Sequence, residues 1–93
     1  MNHEIQQTRV FALWLLNVRD LRARIAIARR IDRVITGNLG DFESVGELRI
    51  DVGAGYRVYF TLRGGSIVIL LVGGDKSTQP ADIRQAKKMA KEI

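Results

Sequence analysis

The chain has 93 residues, of which 46% are hydrophobic and 27% charged, a composition typical of one globular domain. It contains no cysteine, which excludes disulfides and thiolate metal sites. Fifteen basic residues against ten acidic ones give a net charge of +5, and eleven of the fifteen are arginine. Because a guanidinium grips phosphate with two hydrogen bonds, this surplus favours a nucleic acid or an acidic protein as partner; a merely basic surface is the alternative.

The two longest apolar runs, residues 10–16 and 67–72, are far too short to span a membrane. The first nine residues are mostly polar, and no small-residue cleavage site follows the first apolar run, so no secretory signal is predicted. We therefore expect a single cytoplasmic domain over residues 1–93 that makes no membrane contact. The sequence shows no P-loop, paired acidic residues or histidine cluster, so neither a metal nor another cofactor is expected.

Residues 9–35 have a helical pattern. Phe11, Trp14 and Val18 recur at helical spacing, which predicts a helix with these side chains in the core. Asp20 is a typical N-cap residue, so this stretch is predicted to divide there into two antiparallel helices.

The second of these helices is predicted to end at Gly37 and Asn38, since both are common helix-stop residues. Its arginines then lie mostly outward, where they face solvent, RNA or an acidic partner. The predicted inward stripe consists of Leu21, Ile25, Ala28, Ile31 and Ile35.

After residue 46 the apolar period changes from about four to two, which predicts three strands joined by turns at 53–55 and 64–65. The third strand, 67–72, is apolar on both faces and is predicted to be interior; Gly73 and Gly74 should end it. Residues 5–8 form a short further strand, and a last helix begins at Thr78 or Pro80. The predicted fold is therefore α+β: an antiparallel, mixed-edge sheet of three to four strands packed against an N-terminal helical hairpin, with a C-terminal helix.

A tight turn at 53–55 would set Val52 opposite Tyr56 and thereby fix the strand register. Side chains alternate along a strand, so every second residue on each strand then shares one face of the sheet. The predicted neighbours on that face are Asp51 with Arg57 and Arg49 with Tyr59.

The Gly-Gly turn at 64–65 places Arg57 near Val72 on the third strand. The chain leaving that strand soon reaches Lys76, which should lie at the same end of the sheet as Arg57. Three cations from separate segments, Arg49, Arg57 and Lys76, are thus predicted to converge, with Tyr59 supplying a hydroxyl and an aromatic face.

Such a cluster suits RNA cleavage without a metal, in which the 2′-hydroxyl attacks the adjacent phosphate. Arginines aimed at that phosphate would stabilise the negative charge that develops on it. A basic pocket would also lower the pKa of Tyr59 or Lys76 and so favour proton transfer. The structural alternative is an exposed Asp51–Arg57 ion pair beside a solvated lysine.

The strings Gly-Glu-Leu-Arg-Ile (46–50), Gly-Tyr-Arg-Val-Tyr-Phe (55–60) and Gly-Gly-Asp-Lys-Ser-Thr-Gln (73–79) resemble the RelE/ParE toxin superfamily. More narrowly, they resemble its HigB-like addiction module killer toxins. The resemblance covers almost the whole chain, and the 73–79 string is its most distinctive part. It implies a small RelE/ParE-like fold and the toxin of a type II toxin–antitoxin module, whose relatives cleave mRNA at the ribosome.

The resemblance also implies roles for individual residues. Arg57 matches the family's strand arginine, expected on the scissile phosphate. Arg49 matches a basic position on the preceding strand, and Lys76 matches one near the leaving group or the phosphate. RelE-like nucleases often carry a tyrosine or histidine near the end of the last strand, where this chain has Ser-Thr-Gln at 77–79. Tyr59 and Lys76 are the expected substitutes for proton transfer.

The partners that the resemblance implies are mRNA, the ribosome and a cognate antitoxin, often a helix-turn-helix protein. Contact with DNA would be indirect, through that antitoxin. Two alternatives stay open: a ParE-like poison of DNA gyrase, and a non-catalytic chain that only binds antitoxin within a repressor complex.

Overall fold

A computed structural model describes residues 2–37 and 39–93. Asn38, one of the two predicted helix-stop residues, lies outside them. The elements occur in the order β1 (Glu4–Gln7), α1 (Arg9–Leu16), α2 (Leu21–Thr36), β2 (Gly46–Ile50), β3 (Tyr56–Arg63), β4 (Ile67–Gly74), a 3-10 turn (Lys76–Thr78) and α3 (Gln79–Glu92).

The four strands form one mixed sheet in the order β1-β4-β3-β2. Strand β1 pairs with β4 in parallel, while β2–β3 and β3–β4 are antiparallel. The predicted α+β architecture, with its mixed edge, N-terminal helices and C-terminal helix, is confirmed. Because β1 covers its outer edge, β4 is interior, as its apolar sequence predicted.

Side-chain caps begin the two N-terminal helices. Thr8 Oγ1 accepts a hydrogen bond from the Phe11 amide at 3.1 Å and starts α1. Asp20 Oδ1 accepts from the amides of Arg22 at 3.0 Å and Ala23 at 3.3 Å, which confirms the predicted N-cap of α2. Helix α2 ends at Thr36, directly before Gly37.

The inward face of α2 differs from the predicted one. Ala23, Ile27 and Val34 are buried, whereas Leu21 is 70% exposed and Ile25 46% exposed. The prediction failed because α2 carries two apolar stripes. They are offset by two residues in the sequence, which corresponds to roughly 200° around the helix axis. The stripe with small residues at 23 and 26 faces the sheet, where it allows close packing. Of the predicted inward residues, Ile31 alone packs against the core among those the structure describes.

Two apolar layers cover the two faces of the sheet. Helices α1 and α2 pack on one face, where Phe11 and Ile27 meet side chains such as Val58 and Phe60. Helix α3 packs on the other face through Ala86, against residues that include Tyr59. Within the described residues, no helix is both long and apolar enough to cross a membrane.

Strand β4 runs two residues beyond the predicted Val72, through Gly73, and ends at Gly74. Each glycine lies beneath a close neighbour on one face of the sheet. A Cβ on Gly73 would collide with the Trp14 ring, and a Cβ on Gly74 with the Asp82 carboxylate. These glycines therefore bring α1 and α3 close to the last turn of the strand.

Candidate functional site

The β2–β3 register places Arg49 directly opposite Arg57 and Glu47 directly opposite Tyr59. The predicted register, with Asp51 opposite Arg57 and Arg49 opposite Tyr59, is wrong by two residues. The strands are joined by the five residues 51–55, so Tyr56 pairs with Ile50 and not with Val52. Because side chains alternate along each strand, the four side chains of the two observed pairs still share one face of the sheet, the face that α3 covers.

The β3–β4 register also differs from the prediction. Arg57 pairs with Gly74, two residues beyond the predicted Val72. A three-residue link, 64–66, accounts for part of the shift, and an irregularity between Tyr59 and Phe60 accounts for the rest. The consequence is that Arg57 lies closer to the start of the 3-10 turn than predicted.

Glu47 joins the two arginines and was not identified from the sequence. Its Oε2 lies 2.7 Å from Arg49 Nε and 3.7 Å from Arg57 Nε, so one oxygen faces both guanidinium groups. Its Oε1 accepts a hydrogen bond from Gln79 Nε2 at 3.2 Å, which ties β2 to α3. Two like charges placed opposite each other destabilise a strand pair, and this carboxylate offsets that repulsion. The correct register would have identified Glu47, which alternates with Arg49.

Gly55 lies between Arg57 and Lys76. Its carbonyl accepts a hydrogen bond from Arg57 Nη1 at 2.9 Å. An added Cβ at Gly55 would lie 3.6 Å from Arg57 Nη1 and 3.7 Å from the Cβ of Lys76, so both side chains flank this glycine. Gly55 has a φ of 75°, a conformation that favours glycine and keeps this approach open. Arg49, Arg57 and Lys76 are therefore brought together, although Asp51 is not opposite Arg57.

Most residues of the 73–79 string stabilise the backbone conformation of the segment that links β4 to α3. Asp75 Oδ1 accepts from the Ser77 amide at 2.8 Å and from its hydroxyl at 2.5 Å, and these bonds lower the pKa of Asp75. Thr78 Oγ1 donates to Asp82 Oδ2 at 2.6 Å. Lys76 begins the turn that these bonds hold. Its ammonium has no carboxylate within 4.0 Å in the described chain, and its side chain is exposed.

Tyr59 is buried, contrary to the accessible aromatic face that the sequence predicted. It is 1% exposed and packs with Ile69, Val72 and Ala86 beneath α3. Its hydroxyl lacks a hydrogen-bond partner among residues 2–37 and 39–93. Burial raises the pKa of Tyr59 to about 12, and the negative charge of Glu47 acts in the same direction. The expectation of a lowered pKa is wrong because burial outweighs the nearby cation of Arg57.

The two arginines differ in exposure. The side chain of Arg57 is 14% exposed, while that of Arg49 is 68% exposed. The hydrogen bond and the negative charge of Glu47 raise the pKa of Arg49, which stays a cation. Gly55 holds Nη1 of the largely buried Arg57, whose Nε lies 3.7 Å from Glu47 and has no hydrogen-bond partner in the described residues, while Arg49 Nε donates to Glu47 at 2.7 Å.

A small groove continues from Arg49 toward α2. It has a volume of about 280 Å³ and lies between the end of β2 and the flank of the helix. Arg30 and Arg33 of α2 line it together with Arg49, while Asp51 supplies its one carboxylate in the described part of the chain. No group of three or more His, Asp or Glu side chains with metal-site geometry occurs in residues 2–37 and 39–93.

Two comparisons with known proteins place the chain among its relatives. Residues 4–93 match the family model described as "Phage derived protein Gp49-like (DUF891)". A protein of Haemophilus influenzae (strain ATCC 51907 / DSM 11121 / KW20 / Rd), described as uncharacterized, is 50% identical over 97 residues, covering 100% of this chain and 98% of its own. With nearly the whole sequence matched and the sheet and helices in RelE-like order, the chain belongs to the Gp49-like family of phage-derived proteins, a RelE/HigB-like toxin family.

Proposed function

We propose that this chain is the toxin of a type II toxin–antitoxin module, close to the HigB-like toxins, and a metal-independent endoribonuclease that cuts mRNA at the ribosome. The observation that carries the proposal is the meeting of Arg49, Arg57 and Lys76 around Glu47 and Gly55. The two guanidinium groups face Glu47, and the Cβ of Lys76 lies beside Gly55, so three cations stand at one end of the sheet, which suits a phosphate better than a neutral ligand.

The reaction that fits this region is attack of the ribose 2′-oxygen on the adjacent phosphorus. A bond from O2′ to phosphorus forms while the bond from phosphorus to O5′ breaks. The products are a 2′,3′-cyclic phosphate and a 5′-hydroxyl. The 2′-hydroxyl loses a proton and the leaving oxygen gains one, so the site must supply an acceptor and a donor.

Arg57 is proposed to hold the phosphate and stabilise its added negative charge. Gly55 fixes its Nη1, so the guanidinium is oriented before substrate binds, which is the condition for strong electrostatic stabilisation. The more exposed Arg49 is proposed to grip a second phosphate oxygen. Lys76, whose ammonium has no carboxylate partner in the described residues, is proposed to donate the proton or to stabilise the leaving oxygen.

Glu47 is proposed as the proton acceptor, in place of Tyr59 or Lys76, which the sequence alone indicated for proton transfer. Its carboxylate lies within ion-pair distance of both guanidinium groups, so it would stand beside a phosphate that those groups hold through their other N–H donors. Tyr59 is proposed to position Arg57 and Glu47 from beneath, since a buried phenol whose pKa is raised to about 12 is poorly suited to exchange protons with the substrate.

The proposed partners follow from this function. They are mRNA, the ribosome and a cognate antitoxin, and an antitoxin of the helix-turn-helix type would carry any contact with DNA. The proposed setting is the bacterial cytoplasm, where all three would be met.

The deciding experiment maps transcript 5′ ends after a short pulse of expression in bacteria. Wild-type protein should produce new 5′-hydroxyl ends within open reading frames and arrest growth. Arg57→Ala should abolish both, while Arg63→Ala, which removes an exposed arginine from the other end of β3, should leave both intact. A folded Arg57→Ala protein that still arrests growth would contradict the proposal.

The same experiment separates the alternatives. A gyrase poison would cause DNA breaks without new transcript ends. A chain that only binds antitoxin would cause no growth defect when it is expressed alone.

A further inference from the structure

Two buried donors in the candidate site have no protein acceptor. The Nε of Arg57 and the hydroxyl of Tyr59 are both buried, and neither makes a hydrogen bond with the residues that the structure describes. Buried donors are nearly always paired, because an unpaired one has lost its bond with water and gained nothing in exchange. An acceptor within reach is therefore drawn toward them.

Glu47 is an acceptor within reach. It lies directly opposite Tyr59 on the strand pair, and side chains that are directly opposed on one face of a sheet can touch. Its Oε2 is 3.7 Å from Arg57 Nε, which is beyond hydrogen-bond distance. A shift of about 1 Å would complete that bond.

Two other groups hold the carboxylate where it is. Its Oε2 accepts from Arg49 Nε at 2.7 Å, and its Oε1 accepts from Gln79 Nε2 at 3.2 Å. The side chain of Arg49 is exposed, and it is the arginine proposed to turn to a phosphate oxygen when RNA binds. Once it does so, Gln79 is the remaining group in the described chain that opposes the pull of the buried donors.

Gln79 is suited to hold a neighbouring side chain in place. It is the first residue of α3 and is partly buried, and Pro80 restricts the backbone directly after it. Directly before it, Thr78 donates to Asp82, which joins the 3-10 turn to the first turn of the helix. The amide therefore extends from a fixed backbone, whereas the guanidinium of Arg49 ends a long exposed side chain.

The amide of Gln79 is also close to Tyr59. Burial raises the pKa of Tyr59 to about 12, and the cation of Arg57 and the Gln79 amide both act against this rise. One amide is thus near the carboxylate of Glu47 and near the phenol that this carboxylate would otherwise approach.

We propose that Gln79 is a positioning residue, whose amide keeps Glu47 turned toward the substrate and away from the two buried donors. Without this amide, the carboxylate would pair with those donors as soon as RNA draws Arg49 away. It would then be out of line with the 2′-hydroxyl, and a misplacement of about 1 Å can cost about 10²-fold in rate. The inference rests on the proposed function, in which Glu47 accepts the proton.

The first test removes the amide and keeps a side chain of similar size. Gln79→Leu should slow single-turnover cleavage of a short mRNA on programmed ribosomes by about 10²-fold, while the affinity for the 2′-deoxy form of that mRNA stays within about twofold. Adding Tyr59→Phe removes one of the two buried donors, so Gln79→Leu/Tyr59→Phe should regain about tenfold in rate. If Gln79 only tied β2 to α3, the second substitution would bring no recovery.

The second test locates the carboxylate without RNA and without cleavage. Arg49→Ala/Gln79→Leu removes both groups that hold Glu47, so its carboxylate should pair with Arg57 Nε. The Nε–H signal of Arg57 in a nitrogen-15 NMR spectrum should move downfield from its position in the wild type and in Arg49→Ala. Adding Glu47→Ala should abolish this movement, and the absence of the signal in Arg57→Lys assigns it.

A matched variant controls for the loss of an amide from α3. Gln85→Leu makes the same chemical change at an exposed position of the same helix. It should keep the cleavage rate within about twofold of the wild-type value and leave the Arg57 signal in place. Circular dichroism and urea denaturation confirm that each variant is folded.

Three results would overturn the inference. They are a Gln79→Leu rate within about threefold of wild type, a rate loss matched by an equal loss of affinity, and an Arg57 signal that stays in place in Arg49→Ala/Gln79→Leu. A signal that moves as expected in a protein that does not cut RNA would support the position of the carboxylate and contradict the nuclease proposal. A stationary signal in a protein that cuts RNA would contradict the role of Gln79 alone.

Discussion

Replacing Glu47 with glutamine tests the proposed proton acceptor with a minimal change in shape. The glutamine oxygen can still accept from Arg49 Nε and face Arg57, and its NH2 group can donate to the oxygen of Gln79 once that amide rotates. The substitution removes one negative charge and the capacity to take up a proton at neutral pH. Packing in the fold should be nearly unaffected, because Glu47 lies on the edge strand β2 and is partly exposed.

The substitution should change the rate of cleavage and the affinity for RNA differently. Positioned general bases contribute roughly 10²- to 10⁴-fold to a rate, so the cleavage step should slow by that factor. This corresponds to about 2.7–5.5 kcal/mol of activation free energy. RNA binding should stay unchanged or tighten, because a carboxylate that competes with phosphate for two guanidinium groups has lost its charge.

The assay is single-turnover cleavage of a short mRNA on programmed ribosomes, with affinity measured separately on a 2′-deoxy substrate that cannot react. Glu43→Gln, an exposed carboxylate in the loop before β2, makes the same chemical change away from the site and should keep the wild-type rate. A Glu47→Gln rate within about threefold of wild type would refute the assignment. A rate loss matched by an equal loss of affinity would show that Glu47 only positions the arginines.

Three further predictions concern stability. The pKa of Tyr59 in the folded protein is raised to about 12, so its neutral form should stabilise the fold fully below the unfolded pKa of about 10, and this stabilisation should be lost as pH rises toward 12. Urea titrations should show this loss of unfolding free energy in the wild type and not in Tyr59→Phe. Gly73→Ala should overpack the Trp14 ring and cost about 1–3 kcal/mol by chemical denaturation, and Trp14→Ala should reduce that cost in the double variant; additive effects would contradict the collision. Asp20→Ala should cost about 1 kcal/mol, and an unchanged midpoint would mean that the cap does not contribute.

The helices and strands could be predicted from the sequence because short-range residue patterns determine where they form. The Asp20 cap, the apolar run of β4 and the change of period after residue 46 each report on neighbouring residues alone. The buried face of α2 could not be chosen this way, since its two apolar stripes are both helical in period. Which one faces the sheet depends on how closely Ala23 allows the helix to approach, and that is a tertiary property.

The site was predictable as a cluster but not as a set of contacts. Arg49, Arg57 and Lys76 meet because they stand near the same end of three connected segments, which a shift of two residues does not alter. Glu47 was not identified and the exposure of Tyr59 was predicted wrongly, because the surroundings of both depend on register and on what covers the sheet. The loop 51–55 and the irregularity after Tyr59 set the register, and α3 covers the ring.

The pairing of β1 with β4 has a consequence for how the protein reaches its native state during synthesis. Residues 4–7 leave the ribosome well before residues 67–70, with which they pair, so the sheet cannot be completed until β4 has been made. Without a docked β1, β4 would present an apolar edge to which another chain can add. Deleting the first eight residues should therefore produce aggregates and not a slightly smaller toxin.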